Sequence, residues 1–561
     1  MRGRSGNARG ATQQGHALSA VDLELFANRL IGVTDEMGVV LQSAGLSPNI
    51  KERRDFSCAL FDAGGEMVAH AAHIPVHLGS TPLAVRAALD HASMAPGDIV
   101  ILNDPYAGGT HLPDVTLVAP VYLPGGDRPF AYVADRAHHA DIGGGSPGSM
   151  ALATDVHQEG FRMPPVHLCR GDRYVGDTLS LFLANTRVPD ERLGDLDAQV
   201  AALRAGAART LDLARRFGPD VLTRAMHELQ RYSQRLIEAL IAELPRGRFR
   251  AVDHLDDDGA GSRDIAIRVE LERRARGLHF DFTGSSPQVR GPVNANLAVT
   301  TSAVFYAIAC VAGRRVPANS GMMAPVTISA REGSVVHCRF PAAVAGGNVE
   351  TSQRIVDVVL QAFALALPDR VPASSCGTMS NLAMGGFDSV RRRHFSYYET
   401  VGGGAGAGPS RNGAHALQTH MTNTWNTPVE ALEAYYPLRV TRYSVRRGSG
   451  GPGLHTGGEG IVREVEALTE MRVTLLAERR RRRPPGLAGG GGGAPGRDAV
   501  IRAGDSRQRE IEAKSELTLG AGDRVIIETP GGGGWGAGRG RKKKGRETLR
   551  KVSRPSAPGG E

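Results

Sequence analysis

Histidine and aspartate side chains are concentrated in two short stretches of the first third of the chain. The first, NDPYAGGTHLPD at 103–114, follows an apolar run, and the second, DRAHHADIGGG at 135–145, follows another. Both are rich in turn-forming residues, which favours loops whose polar side chains project into a cleft. The residues that offer ligand or acid–base atoms are Asp104, His111, Asp114, His138, His139 and Asp141.

Two chemical interpretations of these side chains are open. Loops at neighbouring strand ends, each offering histidine and aspartate, form a mixed nitrogen and oxygen site suited to Zn²⁺, Mn²⁺ or Fe²⁺. His111 and Asp114 are separated only by a Leu-Pro step, so both can reach one point. In the alternative interpretation, the imidazoles and carboxylates only cap turns and pair with each other.

Three other polar motifs are better explained by structural roles than by catalysis or metal binding. His70, His73 and His77 suggest a second metal site, but Pro75 breaks any helix that would align them, so hydrogen-bonding roles in a loop are expected. GGSPG at 144–148 fits G-x-S-x-G, but its proline and the glycines around it favour an extended loop over a nucleophile's strand-to-helix turn. The arginines at 479–483 predict a solvated turn or a salt-bridge surface between subunits, with phosphate or carboxylate binding as the alternative.

Signatures of nucleotide binding are weak or missing in this sequence. GSGGPG at 448–453 fits G-x-G-x-x-G, but no strand–helix unit surrounds it and a proline lies inside it. No G-x-x-x-x-G-K-[ST] sequence occurs in the chain. If the function uses ATP, this chain has no recognisable P-loop to bind it.

Hydrophobic periodicity predicts the elements that must position the polar loops. A core helix is expected from Val21 to about Ala44, and a long helical block from about Leu193 to Leu244 with a break near Gly218. Alternating and short apolar runs predict strands, and further apolar blocks predict helices. The strand segments are a hairpin within 56–70 and runs at 99–102, 115–122, 130–134, 263–282 and 524–528, and the further helices are 298–310 and 352–366.

Length and composition place the chain among globular proteins. Its 561 residues exceed what one ordinary core holds, since single cores stop growing near ~250–300 residues. The longest apolar stretch, around 303–312, is too short for a transmembrane helix, which needs about 20 residues. Glycine accounts for 72 residues in short clusters, which indicates turns and close backbone approaches.

Charge and cysteine content narrow the cellular setting. The net charge is +9, and the excess of lysine and arginine lies in the two ends of the chain, 1–18 and 537–561. The body between them is nearly neutral, so a specific nucleic-acid function is not expected. Five widely spaced cysteines without a C-x-x-C pair favour reduced thiols, and the basic N-terminal segment has no apolar core of a signal peptide. We therefore expect a cytoplasmic protein with no membrane association.

These patterns together predict a mixed α/β (α+β) fold. An N-terminal α/β part would carry the histidine and aspartate loops, and a β-rich part with glycine turns would form the C-terminal region. Both basic ends have too little apolar content to order, and we expect disorder there. The predicted divisions are 1–18 (disordered), 19–250 (N-terminal α/β), 251–394 (central α/β), 395–536 (β-rich) and 537–561 (disordered).

Long blocks in the order of the chain resemble the hydantoinase B/5-oxoprolinase family. The resemblance covers roughly residues 20–536 and is highly specific to that family. The blocks are SPNIKERRDFSCALFDAGGEMVAHAAHIPVHLGS (47–80), NDPYAGGTHLPDVTLVAPVY (103–122), RAHHADIGGGSPGSM (136–150), GGNVETSQRIVD (346–357), YYETVGGGAGAGP (397–409), THMTNTWNTPVEALEAYYPLR (419–439) and TPGGGGWG (529–536).

The resemblance implies a two-component enzyme. A hydantoinase A-like partner would bind ATP and phosphorylate the substrate oxygen, and this B-type chain would complete hydrolysis of a five-membered lactam or imide, such as 5-oxoproline or a hydantoin. From the related acetone carboxylases it also implies a divalent metal (Mn, Zn or Fe) held by His111, Asp114 and His138. His139, Asp141 and Asp104 are then candidates for proton transfer or for orienting a ligand.

Two further functions stay open beside this one. A ketone carboxylase subunit of the acetone or acetophenone type would share the phosphorylation step and end in carbon–carbon bond formation. A non-catalytic scaffold for the ATPase partner is the third possibility. The segment 149–160 and the basic stretches 391–394 and 479–483 depart from the usual family pattern, so the substrate is not determined by the resemblance.

Overall fold

The computed structural model describes residues 18–91, 93–313 and 316–538 of the chain. The tails that the sequence predicts to be disordered therefore lie almost entirely outside the described residues. The helices are α1 (Ala20–Ala44), α2 (Pro48–Lys51), α3 (Ser80–His91), α4 (Gly176–Ala184), α5 (Pro189–Phe217), α6 (Pro219–Glu243), α7 (Leu297–Ala312), α8 (Ser352–Ala366) and α9 (Val429–Tyr435). In the part of the chain that the structure describes, none of them is both long and apolar enough to cross a membrane.

A seven-stranded sheet organises the N-terminal half, and its order is β2-β1-β5-β4-β3-β6-β7. Its strands are β1 (Phe56–Asp62), β2 (Met67–His70), β3 (Ile99–Leu102), β4 (Asp114–Tyr122), β5 (Pro129–His138), β6 (Val166–Arg170) and β7 (Arg173–Tyr174). All the pairings are antiparallel. The central strands β4 and β5 are almost entirely buried, because helices cover both faces of the sheet.

Each face of this sheet packs on a different hydrophobic core. Val133 and Ala137 of β5 belong to the core formed with α1, α5 and α6. Tyr132 and Ala134 belong to the larger core formed with α7 and α8. Because side chains alternate along a strand, consecutive residues of β5 face different cores and different chemistry.

Three smaller sheets follow. Their strands are β8 (Gly247–Asp257), β9 (Arg263–Arg274), β10 (Gly277–Asp281), β11 (Val326–Ser329), β12 (Asn381–Asp388), β13 (Arg393–Thr400), β14 (Leu438–Arg446), β15 (Gly460–Ala467), β16 (Met471–Leu476), β17 (Arg497–Ile501), β18 (Arg509–Ile511), β19 (Lys514–Leu519) and β20 (Arg524–Glu528). The sheet orders are β11-β10-β9-β8, β13-β12-β16-β19 and β14-β15-β20-β17-β18. The mixed α/β fold expected from the sequence is confirmed.

The secondary-structure predictions agree closely with these bounds. α8 and β20 lie where the sequence predicts them, and the helical block breaks at Gly218, whose φ is +88°. Two differences matter. β5 continues through His138, which the sequence places in a loop, and the predicted divisions after 250 and 394 fall inside β8 and β13.

Glycine-rich segments of the C-terminal region pack against each other without side chains between them. A Cβ on Gly532 would lie 2.1 Å from the carbonyl oxygen of Ala405, and one on Gly457 would lie 1.9 Å from that of Gly532. Backbone hydrogen bonds join the same segments, for example from Gly532 N to Gly458 O at 2.9 Å. The close backbone approach expected from the glycine clusters is therefore confirmed.

The arginine run at 479–483 differs from its prediction. Arg479 is buried and pairs with Asp253 and Asp357, while Arg480 is partly exposed and pairs with Asp498. Only Arg482 makes the exposed kind of ion pair expected of a solvated turn. A run of like charges cannot reveal that acidic partners from distant segments surround it.

Candidate functional site

Three of the predicted ligand residues meet at one end of β4 and β5. Asp114 is the first residue of β4, His138 is the last of β5, and the antiparallel register places them directly opposite each other. His111 lies one turn before Asp114, whose backbone N–H donates to the carbonyl of His111 at 3.1 Å. One ligand atom from each residue lies within 4.8 Å of the other two.

Neighbouring segments hold the cluster in place through the backbone. The amide group of Asn296, the residue that caps α7, donates to the carbonyl oxygens of Pro105, Gly109 and Thr110 and so fixes the loop before His111. Asn49 Nδ2 donates to the carbonyl of His138 at 3.3 Å. Two elements far apart in sequence thus position the two halves of the site.

The carboxylate of Asp114 is the centre of the cluster. Its Oδ1 lies 3.1 Å from His111 Nε2 and 3.3 Å from His138 Nδ1. Its Oδ2 accepts a hydrogen bond from the Thr110 hydroxyl. Burial alone would raise the pKa of Asp114, but the nearby imidazoles of His111, His138 and His77 hold it well below its ordinary value. The carboxylate is therefore ionised at neutral pH.

The imidazoles are buried in a form suited to metal binding. His111 is fully buried and His138 is 3% exposed. Burial lowers the pKa of His138, although the Asp114 carboxylate opposes this effect, so the ring is neutral. A neutral imidazole and an ionised carboxylate are the states that coordinate a cation.

Unused polar atoms show that the cluster fits a cation better than an internal hydrogen-bond network. His111 Nε2 has no hydrogen-bond partner among the described residues, although Asp114 Oδ1 is 3.1 Å away. The other ring nitrogen of His111 and Nε2 of His138 have no partner in this part of the chain either. Atoms that lie close together without bonding are expected where they share one ion, and leaving them unpaired would be costly.

Three residues outside the predicted ligand set surround the cluster, and of these the sequence analysis named only His77, as a hydrogen-bonding loop histidine. His77 Nε2 lies 3.4 Å from Asp114 Oδ2, and Asn348 Nδ2 donates to the same oxygen at 3.4 Å. The ring of Tyr398 stacks on His138 with 4.7 Å between the centroids. Asn348 and Tyr398 belong to the blocks GGNVETSQRIVD and YYETVGGGAGAGP. These family-like blocks were the one sequence signal that could have pointed to the two residues.

Asn348 owes its place to a local irregularity. Residues Gly347–Thr351 form a π-helical turn just before α8, a feature often found at functional sites. A Cβ on Gly347 would lie 1.8 Å from the carbonyl oxygen of Asn294, so only glycine fits there. This close approach brings the side chain of Asn348 to Asp114.

His139 is the first residue after β5, and its side chain points to the opposite side of the sheet from that of His138. Its Nε2 is 2.9 Å from Gln199 Oε1 on α5, and Gln199 in turn donates to Asp135. Burial, the largest cause, and the nearby Arg192 lower the pKa of His139 to about 4. The structure thus places His139 in a network within the α5 core and does not bring it to the cluster.

Asp141 and Asp104 also have partners other than the cluster. Asp141 Oδ1 accepts from the guanidinium of Arg187 at 2.6 Å, and its Oδ2 accepts from the backbone N–H of Arg187 at 2.7 Å. Asp104 caps its own turn through the N–H of Tyr106 and pairs with Arg162 at 3.1 Å. Both carboxylates hold loop conformations in this structure.

His70, His73 and His77, for which the sequence suggested either a second metal site or hydrogen-bonding roles, do not all behave alike. His70 and His73 make local backbone contacts, with Ala71 O and Cys58 N, as predicted for hydrogen-bonding histidines. Burial is the main cause that lowers their pKa values, to about 3 for His70 and about 4 for His73. His77 differs, because its other nitrogen lies 2.8 Å from Ser57 Oγ and its Nε2 faces Asp114.

Comparisons with known sequences cover nearly the whole described chain. The profile of the hydantoinase B/oxoprolinase family matches residues 19–538. A 5-oxoprolinase of Dictyostelium discoideum is 36% identical over 528 residues, which are 92% of this chain and 40% of that protein. The chain thus spans well under half of this relative.

Solved structures with the same fold are also known. The ATP-dependent caprolactamase from Pseudomonas jessenii superposes with a TM-score of 0.86 at 27% identity, over 93% of this chain and 92% of that one. An acetone carboxylase in its nucleotide-free form superposes with a TM-score of 0.82 at 18% identity, over 91% of this chain and 76% of that one. The second likeness shows a shared fold only.

Proposed function

The chain belongs to the hydantoinase B/oxoprolinase family, and from this membership we propose that it is the B-type component of an ATP-dependent cyclic amidohydrolase. Its substrate would be a five-membered lactam or imide of the 5-oxoproline or hydantoin type. The observation that carries the proposal is the buried cluster of His111, Asp114 and His138 with its unpaired nitrogens.

The three cluster residues would hold one divalent ion, Mn²⁺, Zn²⁺ or Fe²⁺. Such an ion, when bound, polarises a carbonyl oxygen and makes water a stronger nucleophile at neutral pH. The chain contributes the charge of Asp114, the orientation of His138 against Tyr398, and burial that keeps bulk water out. Asn348 and Thr110 orient the second carboxylate oxygen of Asp114.

ATP would be bound by a hydantoinase A-like partner. Two observations support this assignment: the sequence has no P-loop, and the 5-oxoprolinase relative carries a long additional region that this chain does not match. The caprolactamase with the same fold is described as ATP-dependent. An unstrained lactam carbonyl is stabilised by its amide, and phosphorylation of its oxygen by the partner would make the carbon open to attack.

The metal assignment can be tested on the purified chain, and the partner assignment can be tested on a complex reconstituted with the partner. Metal analysis of the wild type should give about one divalent ion per chain, and His111→Ala should lose it. With a hydantoinase A-like partner and ATP, the complex should open 5-oxoproline or hydantoin, and the chain alone should not. A metal-free, fully active wild type would end the metal assignment, and ring opening by the chain alone would end the partner assignment.

The carboxylase and scaffold alternatives give different results in the same assays. Incorporation of bicarbonate into a ketone, without ring opening, would favour the carboxylase. Partner ATPase activity that survives His111→Ala and Asp114→Ala with no product of either kind would favour the scaffold. We also propose a reducing compartment such as the cytoplasm, since the five cysteines are free.

A further inference from the structure

Tyr398 connects the metal cluster to buried polar groups outside it. Its ring stacks on the imidazole of His138, with 4.7 Å between the centroids and 13° between the planes. Its hydroxyl donates to Asn381 Oδ1 at 2.7 Å. Because an aromatic ring is rigid, the bond that holds its hydroxyl also sets the plane on which His138 stacks.

The pairing of β12 with β13 explains how Asn381 meets this hydroxyl. Tyr398 lies opposite Ala383, so Asn381, two residues earlier on β12, points to the same face of the sheet. Diagonal neighbours of this kind are about 7–8 Å apart, which a tyrosine side chain can span. Asn381 is itself held in place, because its amide group donates to the carbonyl of Leu476 on β16 at 2.7 Å.

Glu350 lies at the end of this chain of hydrogen bonds. It is fully buried, and its Oε1 accepts from Asn381 Nδ2 at 2.7 Å and from Met379 N at 3.0 Å. Its Oε2 has no hydrogen-bond partner among the described residues. Burial, the main cause, and the nearby Glu478 raise the pKa of Glu350 to about 8. The carboxyl group is therefore protonated at neutral pH, and it accepts hydrogen bonds without adding a buried charge.

Glu350 also lies on the π-helical turn that carries Asn348. Asn348 Nδ2 donates to Asp114 Oδ2 at 3.4 Å. The bond that Glu350 accepts from Met379 N fixes this turn against the segment that leads into β12. The same carboxyl group is thus linked to the aspartate of the cluster through its own turn, and to the histidine at the end of β5 through the tyrosine ring.

Tyr397, the preceding residue of β13, has the same chemistry on the other face of its sheet. Its hydroxyl donates to Glu399 Oε2 at 2.9 Å, and its ring packs in a separate core with Leu382. Tyr398 belongs to the core formed with α7 and α8. Both tyrosines are fully buried, so losing either hydroxyl removes one buried hydrogen bond. Only one of these bonds belongs to the chain that ends at the metal cluster.

We propose that Glu350 and the hydroxyl of Tyr398 are positioning groups of the metal site, which act through Asn381 on the imidazole plane of His138. This assignment rests on the metal part of the proposed function. It adds residues that support a ligand without contacting the ion. Loss of such supporting contacts weakens metal binding about 10–100-fold.

The test uses the purified full-length chain, with Zn²⁺ and Co²⁺ as probes. Tyr398→Phe keeps the ring and loses the hydroxyl, so the Zn²⁺ affinity measured by chelator competition should fall about 10-fold or more. The visible absorption bands of bound Co²⁺ should also shift, because they report the arrangement of the ligands around the ion. Tyr397→Phe is the matched control, and it should equal the wild type in both measurements.

Substitutions of Glu350 test the other end of the chain. Glu350→Gln keeps an acceptor oxygen and the neutral state of the acid, so its Zn²⁺ affinity should stay within about threefold of the wild type. Glu350→Met keeps the length of the side chain without a carboxyl oxygen, so its affinity should fall about 10-fold or more. Adding Tyr398→Phe to Glu350→Met should cost less than the two single losses combined, because both break the same chain.

The outcomes separate this assignment from the metal site itself. A wild type that binds neither Zn²⁺ nor Co²⁺ overturns the metal assignment and this inference with it. A wild type that binds both ions, with a Tyr398→Phe variant of equal affinity and unchanged Co²⁺ bands, overturns this inference alone. Equal losses in Tyr397→Phe and Tyr398→Phe do the same, because they show a general effect of a lost buried bond. A folded Glu350→Met variant with wild-type affinity overturns the role of Glu350.

Discussion

Replacing His138 by glutamine should abolish tight metal binding, whereas the same replacement at His139 should leave it intact. The two residues are adjacent and chemically identical, and both are buried. They differ in the side of the sheet to which each side chain points, since His138 Nδ1 lies 3.3 Å from Asp114 Oδ1 and His139 Nε2 lies 2.9 Å from Gln199 Oε1. Comparing the two variants therefore shows whether metal binding depends on the position of the imidazole or merely on removing a buried imidazole.

The expected magnitude follows from the contacts. Loss of a residue that only supports a ligand weakens metal binding about 10–100-fold, so loss of a ligand itself should exceed about 100-fold. That factor corresponds to about 2.7 kcal/mol of binding free energy, at about 1.4 kcal/mol per tenfold. His139→Gln loses one buried hydrogen bond, worth about 1 kcal/mol of folding stability, and should bind metal within about threefold of the wild type.

Competition with a chromophoric chelator gives the Zn²⁺ and Mn²⁺ affinities directly, and thermal unfolding gives an independent readout. Because a ligand that binds only the native state stabilises it, added metal should raise the melting temperature of the wild type and His139→Gln but not of His138→Gln. If both variants lose metal affinity equally, or if neither variant loses it, the assignment of the metal site to the His138 side of the sheet is refuted.

Three further predictions concern support of the site, packing and pH. Asn348→Ala should weaken metal binding about 10-fold or more, because its amide orients Asp114, and chelator competition would show no change if the contact were incidental. Gly532→Ala should lower the unfolding free energy by about 1–3 kcal/mol, because its Cβ would lie 2.1 Å from a carbonyl oxygen. Gly32→Ala in α1 should raise the unfolding free energy by about 0.5–1 kcal/mol, because the added Cβ would have no atom within 4 Å. Urea titration of the two glycine variants measures both changes. Burial raises the pKa of Glu159 from 4.5 to about 8, so the native state keeps a proton that the unfolded chain releases, and stability should fall as pH rises through that window. Urea titrations at several pH values should show a smaller fall in Glu159→Gln, and an identical fall would contradict the protonated state.

Much of the fold was predictable from local sequence. The periodicity of α1, α7 and α8 and the alternation in β9 and β10 are properties of short segments, so the elements appear with nearly the expected bounds. His111, Asp114 and His138 were also identifiable as a candidate ligand set, because the residue types and the block pattern are visible in the chain. Local signals of this kind need no knowledge of what packs against a segment.

The tertiary structure decided which neighbours of those residues share the site. β5 extends through His138, so the alternation of side chains sends His138 to the cluster, and the side chain of the next residue, His139, points to α5 on the other side of the sheet. His77, Asn348 and Tyr398 come to Asp114 and His138 from segments tens to hundreds of residues away. Burial of Arg479 likewise depends on Asp253 and Asp357, which no local pattern links to it. Sequence determined the elements and the ligand types, because propensity and chemistry are local, whereas only packing between distant segments determined which side chains face one another.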